Sequence, residues 1–228
     1  MKIKYLDWDS SFFNKKIGEL EIDNSTDHFP ELDYDLLYVK QKKKFELNLP
    51  GYKEFYNETK LTFSKTLESK TRPTDKNIFS ALQWADIEVE QLYDLALESG
   101  KESRFKLDKK FTKTEFTELY KRWVDNSLNQ KIAKDVLVYC VKEEIRGFIT
   151  SSVTDENASI GLVSVSPQEQ GKGLGTKLII ALEEELKKLE IKNLTVQTQE
   201  HNNGANKFYK KNGFKIIEKK IIKHYWKI

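Results

Sequence analysis

The sequence predicts an α/β chain: a mixed, mostly antiparallel sheet flanked by helices on both faces, preceded by a smaller α/β N-terminal part. Three observations carry this expectation. From residue 76 onward, short apolar runs alternate with segments of helical period. A glycine-rich turn joins a strand directly to an amphipathic helix at residues 163–176. No apolar run approaches the ~20 residues that would cross a bilayer. Taken in order, residues 78–82 read as a strand, and 86–98 as a helix with Ile87, Leu92, Leu95 and Ala96 turned inward. A second helix spans 114–125, with Phe116, Leu119, Tyr120 and Trp123 on one face and a capping box between Thr112 and Glu115. Residues 135–141 and 145–153 form a hairpin across Lys142-Glu143-Glu144. The strand at 159–165 enters the glycine turn. The following helix places Leu178, Leu182, Leu186 and Leu189 on one face and Glu183, Glu184, Lys187 and Lys188 on the other. A strand at 194–198, another helix and final strands complete the order.

The N-terminal third adds strands at 2–6, 16–22 and 35–40, and the polar segment 68–76, with Pro73, reads as a linker. Two domains are expected, residues 1–72 and 76–228. No second glycine loop occurs in residues 1–75, so this part is expected to complete a substrate pocket, form a dimer surface or cover the sheet. With 38% hydrophobic and 33% charged residues, the composition is that of a soluble globular protein. The N-terminus is too acidic and interrupted for a signal peptide, and the expected location is the cytoplasm. The single cysteine, Cys140, excludes an internal disulfide and falls in an apolar strand pattern as a core residue. Thirty-nine basic residues nearly balance thirty-six acidic ones. The basic runs, Lys42-Lys43-Lys44 and Lys207, Lys210, Lys211, Lys215, Lys219 and Lys220, read as solvated faces, and no nucleic-acid module is present. His28, His201 and His224 form no metal-ligand pair, so no metal is expected.

The glycine turn carries the chemistry. Gly171, Gly173 and Gly175 let the backbone bend and approach a ligand, while the free N–H groups and positive end of the next helix attract an anion. A P-loop is excluded because Lys172 is followed by Gly173, and the dinucleotide fingerprint because the spacing is G-x-G-x-G. There remains Gln170-x-x-Gly173-x-Gly175 after a strand ending Val165-Ser166-Pro167. Downstream come Asn202, Ala205, Phe208 and Tyr209, closing with Gly213-Phe214.

These two segments resemble the acetyl-CoA pyrophosphate loop and the N-x-x-A-x-x-F-Y-x-x-x-G-F segment of the GNAT family of N-acetyltransferases. The resemblance implies the GNAT fold and acetyl-CoA as acyl donor. Gln170, Gly171, Lys172, Gly173, Leu174, Gly175 and Thr176 would then hold the pyrophosphate. Leu162, Val163 and Val165 would pair through their backbones with the pantetheine amides and polarise the thioester carbonyl. Asn202, Ala205 and Phe208 would flank the arm, and Tyr209 would act as general acid on the departing thiolate. Short segments elsewhere, Trp8-Asp9-Ser10-Ser11-Phe12-Phe13, Lys16-Ile17-Gly18, Ser103-Arg104-Phe105, Thr198-Gln199 and His224-Tyr225-Trp226, resemble a GNAT subgroup typified by TDP-fucosamine acetyltransferase. That subgroup implies an acceptor amine on a nucleotide-activated 4-amino-4,6-dideoxy sugar, with Phe12, Phe13, Arg104 or Gln199 placed at its pocket. Another amine, such as a protein N-terminus, a polyamine or an antibiotic, and a non-catalytic CoA-binding module remain as alternatives. No base stands out: Glu200 and His201 adjoin Asn202, and a water-mediated proton relay is the favoured route.

Overall fold

The structure, a computed structural model, describes residues 3–22, 32–84 and 86–228. His28 and the first residue of the strand expected at 2–6 lie outside them. In chain order the N-terminal part comprises β1 (Lys4–Tyr5), α1 (Asp7–Phe13), β2 (Ile17–Glu21), β3 (Leu36–Gln41) and β4 (Tyr52–Thr66). There follow β5 (Ile78–Ser80), α2 (Val89–Ser99), α3 (Arg104–Leu107), α4 (Lys113–Leu128), β6 (Asp135–Val141), β7 (Glu144–Thr154) and β8 (Asn157–Val165). The chain ends with α5 (Leu174–Lys188), β9 (Asn193–Gln199), α6 (Asn203–Lys211) and β10 (Lys215–Lys227).

The strands form one sheet in the order β1-β2-β3-β10-β4-β9-β8-β7-β6-β5, antiparallel except at β2·β3 and β8·β9. Side chains alternate across it. Val136, Val138 and Phe148 meet α2 and α4 in one core, with Leu92, Phe116 and Leu119. Leu137 and Ile149 meet α5 on the other face, with Leu178, Leu182 and Leu186. The capping box expected at α4 is present, with Thr112 Oγ1 accepting from the Glu115 N–H and the Glu115 carboxylate accepting from the Thr112 N–H. The expected hairpin turns at Lys142 and Glu143, both at positive φ.

Four features differ from expectation. The longest strand, β4, has no counterpart in the sequence reading, yet it lies between β9 and β10, so the sheet runs unbroken across the boundary expected near residue 72. Instead of several final strands there is one 13-residue strand, β10. Of the strand expected at 2–6, the described residues show only β1, because Asp7–Phe13 turns into a helix. The fourth difference concerns α5, where Glu183 and Glu184 are buried while Leu189 is 48% exposed. The supposed linker explains this. It crosses over α5 and delivers Arg72 to both glutamates, and Lys65 Nζ meets Glu183 at 2.5 Å. Lys187 Nζ donates to the Lys70 carbonyl and Lys177 to Asp75, so the segment is pinned along the helix.

Candidate active site

A cleft of about 1230 Å³ runs from the glycine turn, between β8 and β9, to a chamber beneath α1 and α3. That volume exceeds the range of roughly 300–1,000 Å³ usual for one small-molecule site. The cleft exists because β8 and β9 pair only from Asn157↔Asn193 to Ile160↔Val196 and then separate. A bulge marks the parting. Val163 stands opposite Ile149 and Ile160 opposite Ser151, so Gly161 and Leu162 together face Thr150. Thr150 Oγ1 accepts the Leu162 N–H at 2.8 Å, and a Cβ on Gly161 would approach that same oxygen to 2.8 Å. A larger residue there would press on that oxygen and on the hydrogen bond it accepts. Past the bulge, the Ser166 N–H donates to Arg146 O. The alternation of an antiparallel ladder then turns the main-chain groups of Val163 and Val165 away from β7, into the opening. The Leu162 amide, expected to face the donor, is already engaged by Thr150.

At the cleft's first end, the chain leaves β8 through Pro167 and a short 3₁₀ turn, then enters α5. Gly171 and Gly173 have φ of 78° and 85°, conformations that favour glycine. Gly175 serves packing instead, since a Cβ there would come within 2.9 Å of the Phe208 ring; this glycine lets α5 and α6 close together. No side chain among the described residues caps α5, and the first helical bond runs from the Lys177 N–H to Gly173 O. The preceding N–H groups, on Leu174, Gly175 and Thr176, are the orphan donors of a helix N-terminus. Gln170 folds back, its Nε2 reaching Val165 O at 3.3 Å. Of the expected turn residues, Gln170, Gly171, Gly173, Leu174, Gly175 and Thr176 line the cleft. The Lys172 side chain does not, and pairs with Glu169 at 3.5 Å. From the second basic run, Lys207 and Lys211 line the cleft, while Lys219 and Lys220 are bound to Glu200 and Glu21.

The wall opposite is α6. Asn202 is its N-cap, with Oδ1 accepting the Ala205 N–H at 3.1 Å, so its first duty is structural. Ala205, Phe208 and Tyr209 also line the cleft. Tyr209 is 4% exposed, held among the rings of Phe63, Phe208 and Phe214 at 5.2–5.7 Å. Its hydroxyl makes no hydrogen bond among the described residues. Burial pushes its pKa well above that of a free phenol, so the group keeps its proton.

The far chamber contains residues that the sequence did not single out. Leu61 and Phe63 of β4 belong to the core under α5, so Glu58 and Lys60 point to the other face. Glu58 is 4% exposed; its Oε2 accepts the Tyr56 hydroxyl at 2.8 Å and its Oε1 has no partner among the described residues. Above it, the Arg104 guanidinium lies 4.2 Å over the Tyr38 ring and 4.8 Å over that of Phe105. Burial raises the pKa of Asp9 against the opposing pull of Arg104. At the rim, Trp8 is 44% exposed and stacks flat on Phe12, with centroids 5.1 Å apart. Of the four residues considered for the acceptor pocket, Arg104 and Gln199 line the cleft. Phe12 supports Trp8, and Phe13 is core between Phe105 and Phe111. Glu200 is tied to Lys219, and His201 sits at the rim beside the Glu102 carbonyl.

Comparison with known proteins gives this arrangement a family. Residues 89–214, more than half of the chain, match the Acetyltransferase (GNAT) family. Over 139 residues the chain is 25% identical to the spore coat polysaccharide biosynthesis protein SpsD of Bacillus subtilis (strain 168). That match takes in 61% of this chain, which spans about half (48%) of the length of that curated relative. Among solved structures, a GNAT-family protein of Novosphingobium aromaticivorans DSM 12444 shares the fold with a TM-score of 0.57 at 13% identity, covering 87% of this chain and 77% of its own. The PaiA N-acetyltransferase of Thermoplasma acidophilum, solved in complex with coenzyme A, matches with a TM-score of 0.53 at 21% identity, over 66% of this chain and 98% of its own. The chain, with its splayed parallel pair and uncapped glycine turn, belongs to the GNAT family of acetyltransferases.

Proposed function

We propose that this acetyltransferase moves an acetyl group from acetyl-CoA to the amino group of a nucleotide-activated amino sugar, by direct attack in a ternary complex. The observation that carries the proposal is the continuity of the cleft, with an anion-binding helix terminus at one end and a charged, aromatic-rimmed chamber at the other. The residues present suit the donor. The N–H groups of the turn and of Leu174, Gly175 and Thr176 meet a diphosphate, with Lys207 and Lys211 nearby. Val163 and the Val165 N–H offer main-chain groups for strand-like pairing with pantetheine and a donor for the carbonyl oxygen as it gains charge, while Val165 O is met by Gln170.

In the chamber, Arg104 supplies a fixed cation without a salt bridge among the described residues, suited to the diphosphate of a sugar nucleotide. Trp8 offers an exposed ring face for the sugar or the base. Glu58 takes the proton of the acceptor ammonium, directly or through one water, freeing the nitrogen lone pair for attack. Tyr209 gives its proton to the sulfur as the C–S bond breaks. The polysaccharide role in the name of the Bacillus subtilis relative supports a sugar acceptor. To test this, thiol release from acetyl-CoA is followed with a panel of amines that includes TDP-4-amino-4,6-dideoxyhexoses, polyamines and peptide N-termini. Turnover confined to the nucleotide sugars is expected. Turnover with simple amines and none with nucleotide sugars would overturn the acceptor assignment.

A further inference from the structure

Lysine is seldom withdrawn from water without a counter-ion, yet Lys60, half-buried in the cleft, has no ion pair among the described residues. Among the described residues its Nζ reaches only Gln197 Oε1, at 3.5 Å. The groups facing it from neighbouring elements nearly cancel: Lys40 of β3 is bridged to Glu19 of β2 at 2.6 Å, and Glu58 of its own strand opposes Arg104 of α3. Burial dominates, with the Arg104 charge next, and the amine is lowered to about 8. Lys60 also has a particular place in the sheet. It stands opposite Gln199, on the part of β9 that has already left β8, and on the same face as Glu58. Resting on the donor placement proposed above, a thioester threaded between β8 and β9 emerges on this face. The other cleft-lining lysines are placed differently: Lys101 is bound to Glu98, and Lys207 and Lys211 belong to α6.

We infer that Lys60 is a self-acetylation site, which takes the acetyl group when the acceptor is absent. In that step the Lys60 nitrogen attacks the thioester carbonyl, an N–C bond forms and the C–S bond breaks. Tyr209 protonates the departing thiolate, and the proton shed by the lysine nitrogen passes to Glu58. The product is a neutral acetamide lying where the acceptor amine must sit, beside Arg104 and Glu58. Self-acetylation therefore blocks the same site, and the true acceptor prevents it by occupying the site first.

The test is to incubate the full chain with acetyl-CoA and no acceptor across about pH 6 to 9, then locate acetyl groups by peptide mass spectrometry. The exposed Lys43 and Lys44 serve as internal references. Lys60, which faces the cleft with its amine lowered to about 8, is expected to be labelled faster than Lys43 near neutral pH. Its labelling is expected to level off above about pH 8. The label is expected to vanish in Lys60→Arg and to slow in Tyr209→Phe. Acetyl-CoA binding by calorimetry and turnover of the acceptor are measured on the same preparation. If the enzyme binds acetyl-CoA and acetylates its acceptor while Lys60 labels no faster than Lys43, the inference fails and the proposed function stands. If acetyl-CoA does not bind, both fail.

Discussion

At the scale of single residues, the site divides into groups that a local motif reveals and groups that it conceals. The place of Tyr209 at the cleft was legible because it follows Asn202 and Ala205 at fixed spacing on one short helix. Its buried phenol keeps its proton, the state that the acid role proposed above requires. Tyr209→Phe is expected to lower kcat by about 10²- to 10⁴-fold, with acetyl-CoA affinity by calorimetry almost unchanged; an unaltered kcat would remove the acid from the scheme. Glu58 was not legible, since a lone carboxylate between Asn57 and Thr59 reads as a surface charge. Only the fold reveals that it is buried, with one oxygen held by Tyr56 and the other without a partner among the described residues. Glu58→Gln is expected to reduce kcat/KM by about 10²-fold or more at neutral pH. The loss should shrink as pH rises, because solution then deprotonates the acceptor in place of the carboxylate. A pH-independent loss would mean that Glu58 shapes the pocket without moving a proton.

At the scale of elements, the segments most legible in the sequence are those whose two faces differ cleanly. Helices α2 and α4 bury one side only, and the β6–β7 hairpin is apolar with a short charged turn. Strand β4 escaped notice for a physical reason: Glu58 and Lys60 occupy inward positions, and the charges a functional chamber needs erase the alternation that would announce a strand. The buried glutamates of α5 misled in the opposite sense, since an acidic residue is ordinarily assigned to solvent unless a paired cation is known. The bulge in β8 was equally silent, because its partner Thr150 lies on another strand. That bulge makes a specific prediction. Thr150→Val conserves shape but leaves the Leu162 N–H without its acceptor, costing about 1–3 kcal/mol of stability. As the bulge relaxes, β8 and β9 are drawn together and KM for acetyl-CoA is expected to rise more than kcat falls. Denaturant midpoints and steady-state kinetics check the two effects separately, and a variant with wild-type stability and KM would show that the splay does not depend on this hydroxyl.

At the scale of the whole molecule, the N-terminal and C-terminal parts share one sheet, and β10 joins them by pairing with β3 on one side and β4 on the other. The sequence suggested separate units because Pro73 and the polar residues around it resemble a linker; the buried cation-to-glutamate contacts that pin this segment become visible only in three dimensions. A second buried polar contact ties β10 to the turn after α3. Asp108 Oδ2 lies 2.6 Å from His224 Nδ1 and 2.9 Å from Trp226 Nε1, and both Asp108 and His224 are almost wholly withdrawn from water. Burial lowers the His224 pKa to about 4, with the nearby Arg104 charge adding to the effect and the Asp108 hydrogen bond resisting it. Burial acts to raise Asp108, but donors from His224, Lys110 and Trp226 outweigh it and hold the carboxyl below its ordinary value. The unfolded chain therefore binds more protons than the folded one as pH falls from about 6.5 toward 4, the interval set by His224. Stability is full above that interval and declines within it, by roughly 3 kcal/mol if the entire shift is expressed; below it Asp108 continues the loss in the same direction. Urea midpoints measured between pH 7.5 and 4 should fall accordingly in the wild type. In His224→Gln, which is less stable at neutral pH because the Asp108 contact is weakened, most of the slope above pH 4 should disappear. A slope that persists unchanged in that variant would assign the acid sensitivity to other groups and leave the Asp108–His224 contact as a packing feature without a role in the pH response.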